Sequence, residues 1–464
     1  MLIHRSTRGL RPHLSLLLLA LGAPPLFSAD GLDDPGGYSS IPFDLNFAAT
    51  DLSRSCAAQA DGKILLAGSA TTDDSEQGQI AIARIKTDGL LDPTFDTDGR
   101  LVIDLSDIGI QATLGRAYSM TVDSQGRILV AGSMVLISNG ATIGFVARIL
   151  ADGWIDPAFA INGFYLEFAM DTGVTAVGVD PSGRIWLLGR SLADGTGPWI
   201  FQLLDTAGNP TDNRALTFPG YGFETTIPTA MAFQPDGKVL LGGWGRTGSP
   251  DYFASMAVAR ILGSTLNLDP TFGGGGTGKL VITDFESTYL RSIAFQPDGR
   301  IVVAGEYGVV TEEILTVNRL DANGTLGGGF TEYIAFDVGP YGGDGGAGMN
   351  RMVVQSDGKI VVAATAITGD SGNVIDVGVA RVLAESGLDT SFGGLGTGKR
   401  TFDMPPVGSG DGNDDFHCLT LSGGKPVLVG SGHYSGTDWD FSFRRLTSAL
   451  IFTDGFESGT TSFW

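Results

Sequence analysis

The sequence predicts an all-β fold: a seven-bladed β-propeller with four antiparallel strands per blade. Three observations carry this. A turn-and-strand unit recurs seven times at spacings of 54 to 66 residues. The flanks of each copy alternate apolar and polar residues with the period of a strand. No long stretch shows helical period, and glycine and β-branched residues crowd the apolar runs.

The unit is a turn closing on glycine, a basic residue, an apolar run and a small residue. It reads DGKILLAG at 61–68, QGRILVAG at 125–132, SGRIWLLG at 182–189 and DGKVLLGG at 236–243. It continues as DGRIVVAG at 298–305, DGKIVVAA at 357–364 and GGKPVLVG at 423–430. The anchor glycines are Gly62, Gly126, Gly183, Gly237, Gly299, Gly358 and Gly424. Glycine supplies the positive φ of a tight turn, so two strands form a hairpin around each anchor. Six residues after the anchor stands a second glycine, except at Ala364. A third strand follows, as in IAIARI (80–85), GFVARI (144–149), MAVARI (256–261) and VGVARV (377–382). Then come an LDPTF-like segment (91–95, 155–159, 268–272, 388–392), a glycine-rich turn and a fourth strand such as RLVIDL (100–105).

Such a sheet covers its two faces only against its neighbours, so the ring must close. Repeat seven lacks the LDPTF segment and a clear fourth strand. The orphan segment IPFDLNF at 41–47 resembles a fourth strand and is expected to complete the last blade. An open β-solenoid is the other architecture, but its coils are shorter and need no closing device.

The repeats account for residues 41–447 of the 464. Residues 1–29 carry Arg5, Arg8 and Arg11, no acid, and an apolar run from Leu16 to Leu21 before small residues and prolines. That is the pattern of a secretory signal peptide, too short and too proline-interrupted to span a bilayer. Residues 30–40 read as a linker and 448–464 as a C-terminal tail. The tail, with its DGFESG, resembles a short terminus of secreted proteins of some Gram-negative bacteria.

Composition narrows the function. The net charge is −22, from 29 basic and 51 acidic residues, and becomes −25 once residues 1–29 and their three arginines are removed. Such a chain repels phosphate, so nucleic-acid binding is not expected. Seventy glycines without period and 42% hydrophobic residues exclude collagen and disorder.

The basic residue after each anchor recurs in all seven repeats: Lys63, Arg127, Arg184, Lys238, Arg300, Lys359 and Lys425. With the hairpins innermost, these form a candidate anion ring at one channel mouth, or solvate hairpin ends beside Asp61, Asp236, Asp298 and Asp357. A second basic set, Arg84, Arg148, Arg260, Arg319, Arg381 and Arg445, ends the third strands near Asp92, Asp156, Asp269 and Asp389. A fixed Arg–carboxylate register reads as structural ion pairing, and Phe95, Phe159, Phe272 and Phe392 as blade packing.

The GxGxxG runs at Gly273–Gly278 and Gly343–Gly348 lead into strands, so no helix N-terminus backs a phosphate cradle. Only His417 and His433 remain after signal removal, which disfavours zinc. TDDSE (72–76) and DGNDD (411–415) are the only candidates for calcium, and neither matches an EF-hand. No GxSxG nucleophile motif is present, and no catalytic residue or cofactor is assigned.

QPDGRIVVAG, a strand ending in ARI, and LDPTFGGGGTGKLV together resemble the delta-60 repeat, a bacterial propeller-type repeat. Repeats three and five depart most, with Leu203 in place of arginine and TLGGGF at 325–330. The resemblance implies the propeller fold and a secreted or envelope location. It implies no activity, catalytic residue or cofactor.

Cys56 and Cys418, the only cysteines, each stand six residues before their anchors. Repeats one and seven are neighbours only in a closed ring, which would set the two side by side as a candidate disulfide. Equivalent positions on adjacent blades point the same way around the ring, so two packed thiols remain the alternative. The chain is expected to be an extracytoplasmic monomer (periplasm, cell surface or extracellular). It is read as a binding or structural module for a protein or carbohydrate, the alternative being a hydrolase or lyase acting at the channel mouth.

Overall fold

The computed structural model describes residues 33–447 apart from 44–49, 72–77, 107–108, 168, 171–172, 192–196, 249–252, 284–286, 310–311, 327–330, 337–350, 369–373, 403, 405–413 and 436–437. The signal segment, the tail, TDDSE and the second GxGxxG run lie outside the described residues.

Seven four-stranded antiparallel sheets form the ring. Blade one consists of Asp51–Ala58, Ile64–Thr71, Gly78–Ile85 and Arg100–Ile103, hydrogen-bonded in that order. Each first strand touches the first strand of the next blade, and that of blade seven (Asp414–Ser422) touches blade one, so first strands surround the axis. Second and third strands are buried on both faces, which is why ILLAGSA and IAIARI are almost continuously apolar. The described core divides into seven clusters, one at each blade junction.

The closing strand is Asp33–Ile41, not 41–47. It pairs antiparallel with the third strand of blade seven, Asp438–Leu446, and lies largely in the segment read as linker. An edge strand pairs on one side only, so Asp-Asp-Pro-Gly-Gly-Tyr-Ser-Ser needs no apolar alternation. Of the apolar residues that drew attention to 41–47, Ile41 and Phe43 are described, and they plug the blade end. Ile41 and Phe43 are buried, and Phe43 packs edge-to-face on Phe441 with ring centres 4.9 Å apart. The Phe43 amide donates to Asp51 at 2.7 Å, tying the closing strand to blade one. His433 lies on the second strand of blade seven, Lys425–Ser435.

Cys56 and Cys418 are bonded, with Cα atoms 5.8 Å apart across a sequence separation of 362. Their equivalence in sequence is broken by the hairpins. In blade one, Gln59 and Lys63 bond across residues 60–62. In blade seven, Ser422 pairs with Lys425 over Gly423 and Gly424 alone. Cys56 therefore lies opposite Leu66, four residues past its anchor, and Cys418 opposite Val429, five past. A one-residue shift moves a side chain to the other face of a strand. Cys56 thus faces back toward blade seven and Cys418 forward toward blade one, within one core cluster. Met120, at the Cys56 position of blade two, faces back onto Leu65 and Ala67 like Cys56 itself.

Three outcomes test this closure. Phe43→Ala should cost about 3 kcal/mol, read from urea midpoints, and an unchanged midpoint would remove the closing strand from the stability of the ring. Reduction, or a Cys56→Ser/Cys418→Ser double variant, should cost about 2–5 kcal/mol. Thiol titration of the unfolded, unreduced protein should find no free thiol.

Candidate functional site

Antiparallel order places the anchor hairpins and the third-to-fourth-strand connections on one face of the ring, called here the anchor face. The candidate anion ring lies on it, but six of its cations hold carboxylates. Lys63 sits 3.2 Å from Asp61 and 3.1 Å from Asp92, and Lys359 sits 3.2 Å from Asp389. Lys238 pairs with Asp236 at 3.0 Å, Arg127 with Asp123 at 2.6 Å and Arg184 with Asp180 at 2.7 Å. Arg300 pairs with Asp298 at 2.6 Å and with Glu385 at 2.8 Å. Lys425 is engaged as well. An anion on this ring would compete with those carboxylates.

Beneath the ring runs the second basic set, and it is buried. Arg84 Nε lies 2.8 Å from Asp92, Arg148 2.8 Å from Asp156, Arg260 2.9 Å from Asp269 and Arg381 2.9 Å from Asp389. Each guanidinium covers the phenylalanine of its own LDxxF segment, at 4.5 to 4.9 Å from the ring centre. A second guanidinium nitrogen reaches into the next blade: Arg84 donates to the Ala151 carbonyl, Arg148 to Thr206, Arg260 to Ala322 and Arg319 to Glu385. Phe159 and Phe272 press on Gly208 and Gly324 of the following blade, where a Cβ would stand 2.6 and 2.2 Å from the ring. The motif is thus a clamp between consecutive blades.

Blade three breaks the pattern. Leu203 replaces the arginine, and its third and fourth strands, Trp199–Leu204 and Pro210–Leu216, join by a short turn with no LDxxF excursion. Arg184 takes over the task. It pairs with Asp180, lies 5.8 Å from the Trp186 ring centre, and donates to the Gly263 carbonyl of blade four at 2.8 Å. Trp186 completes the substitute by donating to Asp180 at 3.0 Å. The missing excursion leaves a cleft of about 650 Å³ between blades three and four, lined by Asp180, Ser182, Arg184, Asp236, Lys238 and Ser264 among others.

Neither cleft carboxylate is poised as an acid. Burial works to raise Asp180, but hydrogen bonds from Ser182, Trp186 and Arg184 hold it below the usual carboxylate range. Burial likewise works to raise Asp236, but the hydrogen bonds and charge of Lys238 hold it lowered. A glycosidase-type pair needs one carboxyl held protonated.

The anchor face also carries exposed apolar side chains on its third-to-fourth connections. Leu90 is 63%, Trp154 59% and Ile161 78% exposed, on blades one and two. Leu326, Leu383 and Leu395 are exposed on blades five and six. Sequence reasoning missed this rim because each residue stands alone in a polar loop.

Of the calcium candidates, only Asp414 and Asp415 of DGNDD are described. Asp414 accepts from the Met404 amide at 2.6 Å and Asp415 holds His417 at 3.2 Å. No group of three metal-ligating residues occurs among the described residues. The run from Gly273 leads into the strand Lys279–Ile282.

Residues 59–95, 124–159, 296–330 and 355–392 match the family model described as a domain of unknown function (DUF5122) beta-propeller. These four stretches fall on blades one, two, five and six, and each runs from the anchor hairpin through the third-to-fourth connection. None of the curated proteins matches the chain. Among solved structures, it is similar to a protein of unknown function from Dyadobacter fermentans DSM 18053, at 10% identity over 90% of this chain and 99% of that one, TM-score 0.48. It is also similar to polysaccharide lyase Uly1, at 12% identity over 85% and 89%, TM-score 0.50. The beta-propeller domain of the Trilobed protease from Pyrococcus furiosus is similar at 12% identity over 86% and 94%, TM-score 0.44. At such identities the likeness concerns the fold alone.

The Cys56–Cys418 bond points to an oxidising environment outside the cytoplasm. No helix among the described residues is long and apolar enough to cross a membrane.

The clamp makes stability depend on pH. Burial works to raise the Asp389 carboxyl, but hydrogen bonds from Ser391 and Lys359 and the Arg381 charge bring it down to about 2. A carboxyl lowered on folding stabilises the folded state above its ordinary range, and that share is lost as pH falls through about 4 toward 2. Asp389→Asn should remove about 2 kcal/mol at pH 7 and flatten the acid limb of a stability–pH curve. A variant with the parent's acid limb would show that the pair contributes nothing.

Proposed function

We propose that this chain is an exported propeller, secreted or held at the envelope, that works as a single-chain binding module and docks a protein partner on its anchor face. The observation that carries the reading is the placement of exposed apolar residues. Leu90, Trp154, Ile161, Leu326, Leu383 and Leu395 all lie on the connections of one face. Exposed apolar side chains on the loops of one face, with charged residues around them, support a protein-interaction surface there. Trp154 has the size and amphipathic ring typical of an interface anchor. The cleft between blades three and four adds polar groups on the same face.

The charge of the mature chain argues against nucleic acid as the partner. The hydrolase alternative has no support in the cleft, where both carboxylates are held ionised.

A photo-crosslinking amino acid placed at Trp154 tests the reading in cells of the source organism. The control position is Ile137, exposed on the second-to-third-strand turn of the opposite face. Crosslinked adducts to one protein from Trp154 and none from Ile137 are expected. Equal labelling from both, or none from Trp154, would overturn it.

A further inference from the structure

The inner wall of the ring carries chemistry that the anchor face does not use. The first strand of a blade skips one residue in its ladder with the second strand. The skipped residues are Arg54, Tyr118, Thr175, Thr229, Arg291 and His417, in blades one to five and seven. A bulge re-aims the extra residue away from the paired surface. Since first strands surround the axis, these six form one tier around it. The glycine six residues past the anchor makes the bulge possible. A Cβ at Gly68, Gly132, Gly305 or Gly430 would fall within about 2 Å of the carbonyl oxygen beside the bulge. In repeat six, where Ala364 stands, the described first strand begins at Arg351.

The tier is not electrically uniform. On one side Arg291 is held by Glu306 through two bonds of 3.1 and 3.0 Å. On the other side blades seven, one and two bring His417, Arg54 and Tyr118 to adjacent positions, with Asp415 and Arg116 two residues before their bulges. Asp415 is taken by His417 at 3.2 Å, and the Tyr118 hydroxyl meets Ser133 at 2.9 Å. Among the described residues, neither Arg54 nor Arg116 has a carboxylate within ion-pair distance. Arg54 Nε is buried with no hydrogen-bond partner among the described residues. Burial pulls the Arg54 guanidinium below its ordinary value, and nearby Arg116 adds to this against Tyr118 and Asp415. A half-buried, unpaired guanidinium beside a second one is costly unless an anion completes it, and it is conspicuous in a chain of net charge −22.

We propose that the axial wall at blades seven, one and two binds one oxyanion, a carboxylate or sulfate borne on a hydroxylated ligand of the acidic-saccharide class. The Arg54 guanidinium receives the oxyanion through its planar fork, and the exposed Arg116 adds attraction at the approach. Tyr118 offers a neutral partner to sugar hydroxyls. The local excess of about one positive charge suits a single anionic group.

The test is isothermal titration of the mature full chain with D-glucuronate, glucose 6-sulfate and glucose, at low and high salt. Saturable binding of at least one acidic sugar, weakened by salt, with none for glucose, is expected. The sugar that binds tells carboxylate from sulfate. Arg54→Gln should weaken binding at least tenfold, Arg54→Lys should not restore it, and Tyr118→Phe should weaken it a few-fold. The melting temperature of Arg54→Gln should equal or exceed the parent's, because an unpaired half-buried charge is removed. No binding of either acidic sugar, equal binding of glucose, or unchanged affinity in Arg54→Gln would overturn the proposal. So would an Arg54→Gln variant that melts well below the parent, since that would make Arg54 a structural group.

Discussion

The buried pairing of a third-strand arginine with the aspartate of the following LDxxF segment is the constraint around which the blades are arranged. A guanidinium as buried as Arg260 or Arg381 cannot be left without a partner. Its carboxylate must therefore come from a connection that folds back under the anchor hairpin, which fixes the length and path of that connection. The remaining nitrogens then specify the next blade, because only a turn carbonyl held at the right height accepts from them. One side chain thus couples the conformation within a blade to the rotation between blades. The phenylalanine and the facing glycine add shape to that coupling.

Blade three shows that the junction, rather than the motif, is what the ring requires. With Leu203 in place of arginine, the anchor residue Arg184 reaches the neighbouring carbonyl instead, and Trp186 stands in for the missing phenylalanine. The replacement is smaller than the excursion it substitutes, so the space it vacates becomes the cleft. A departure from the repeat and a cavity on the anchor face share one cause.

The ends of the chain meet a demand of the same kind. A closed ring has one junction that no continuous chain crosses in the usual order. Here three devices converge on it: the closing strand, the Phe43–Phe441 contact and the Cys56–Cys418 bond. A ring fixed in this way carries both its anchor-face loops and its axial tier on one closed frame. Rigid presentation of polar and apolar groups is what a binding surface needs.

The sequence by itself determined the blade number, the strand order, the hairpin anchors and the arginine–aspartate register. These are local and periodic, and repetition makes a weak signal readable seven times over. It did not place the closing strand, since an edge strand paired on one side has no apolar alternation to read in Asp33–Ile41. It could not orient the cysteines either. Both stand six residues before an anchor, and only the shorter Gly423–Gly424 turn moves Cys418 to the facing side. The exposed rim and the bulge tier were hidden for a related reason. Leu90 and Trp154, or Arg54, Tyr118 and His417, are unremarkable single residues in separate repeats. They become a surface or a site only when ring closure sets one blade beside the next.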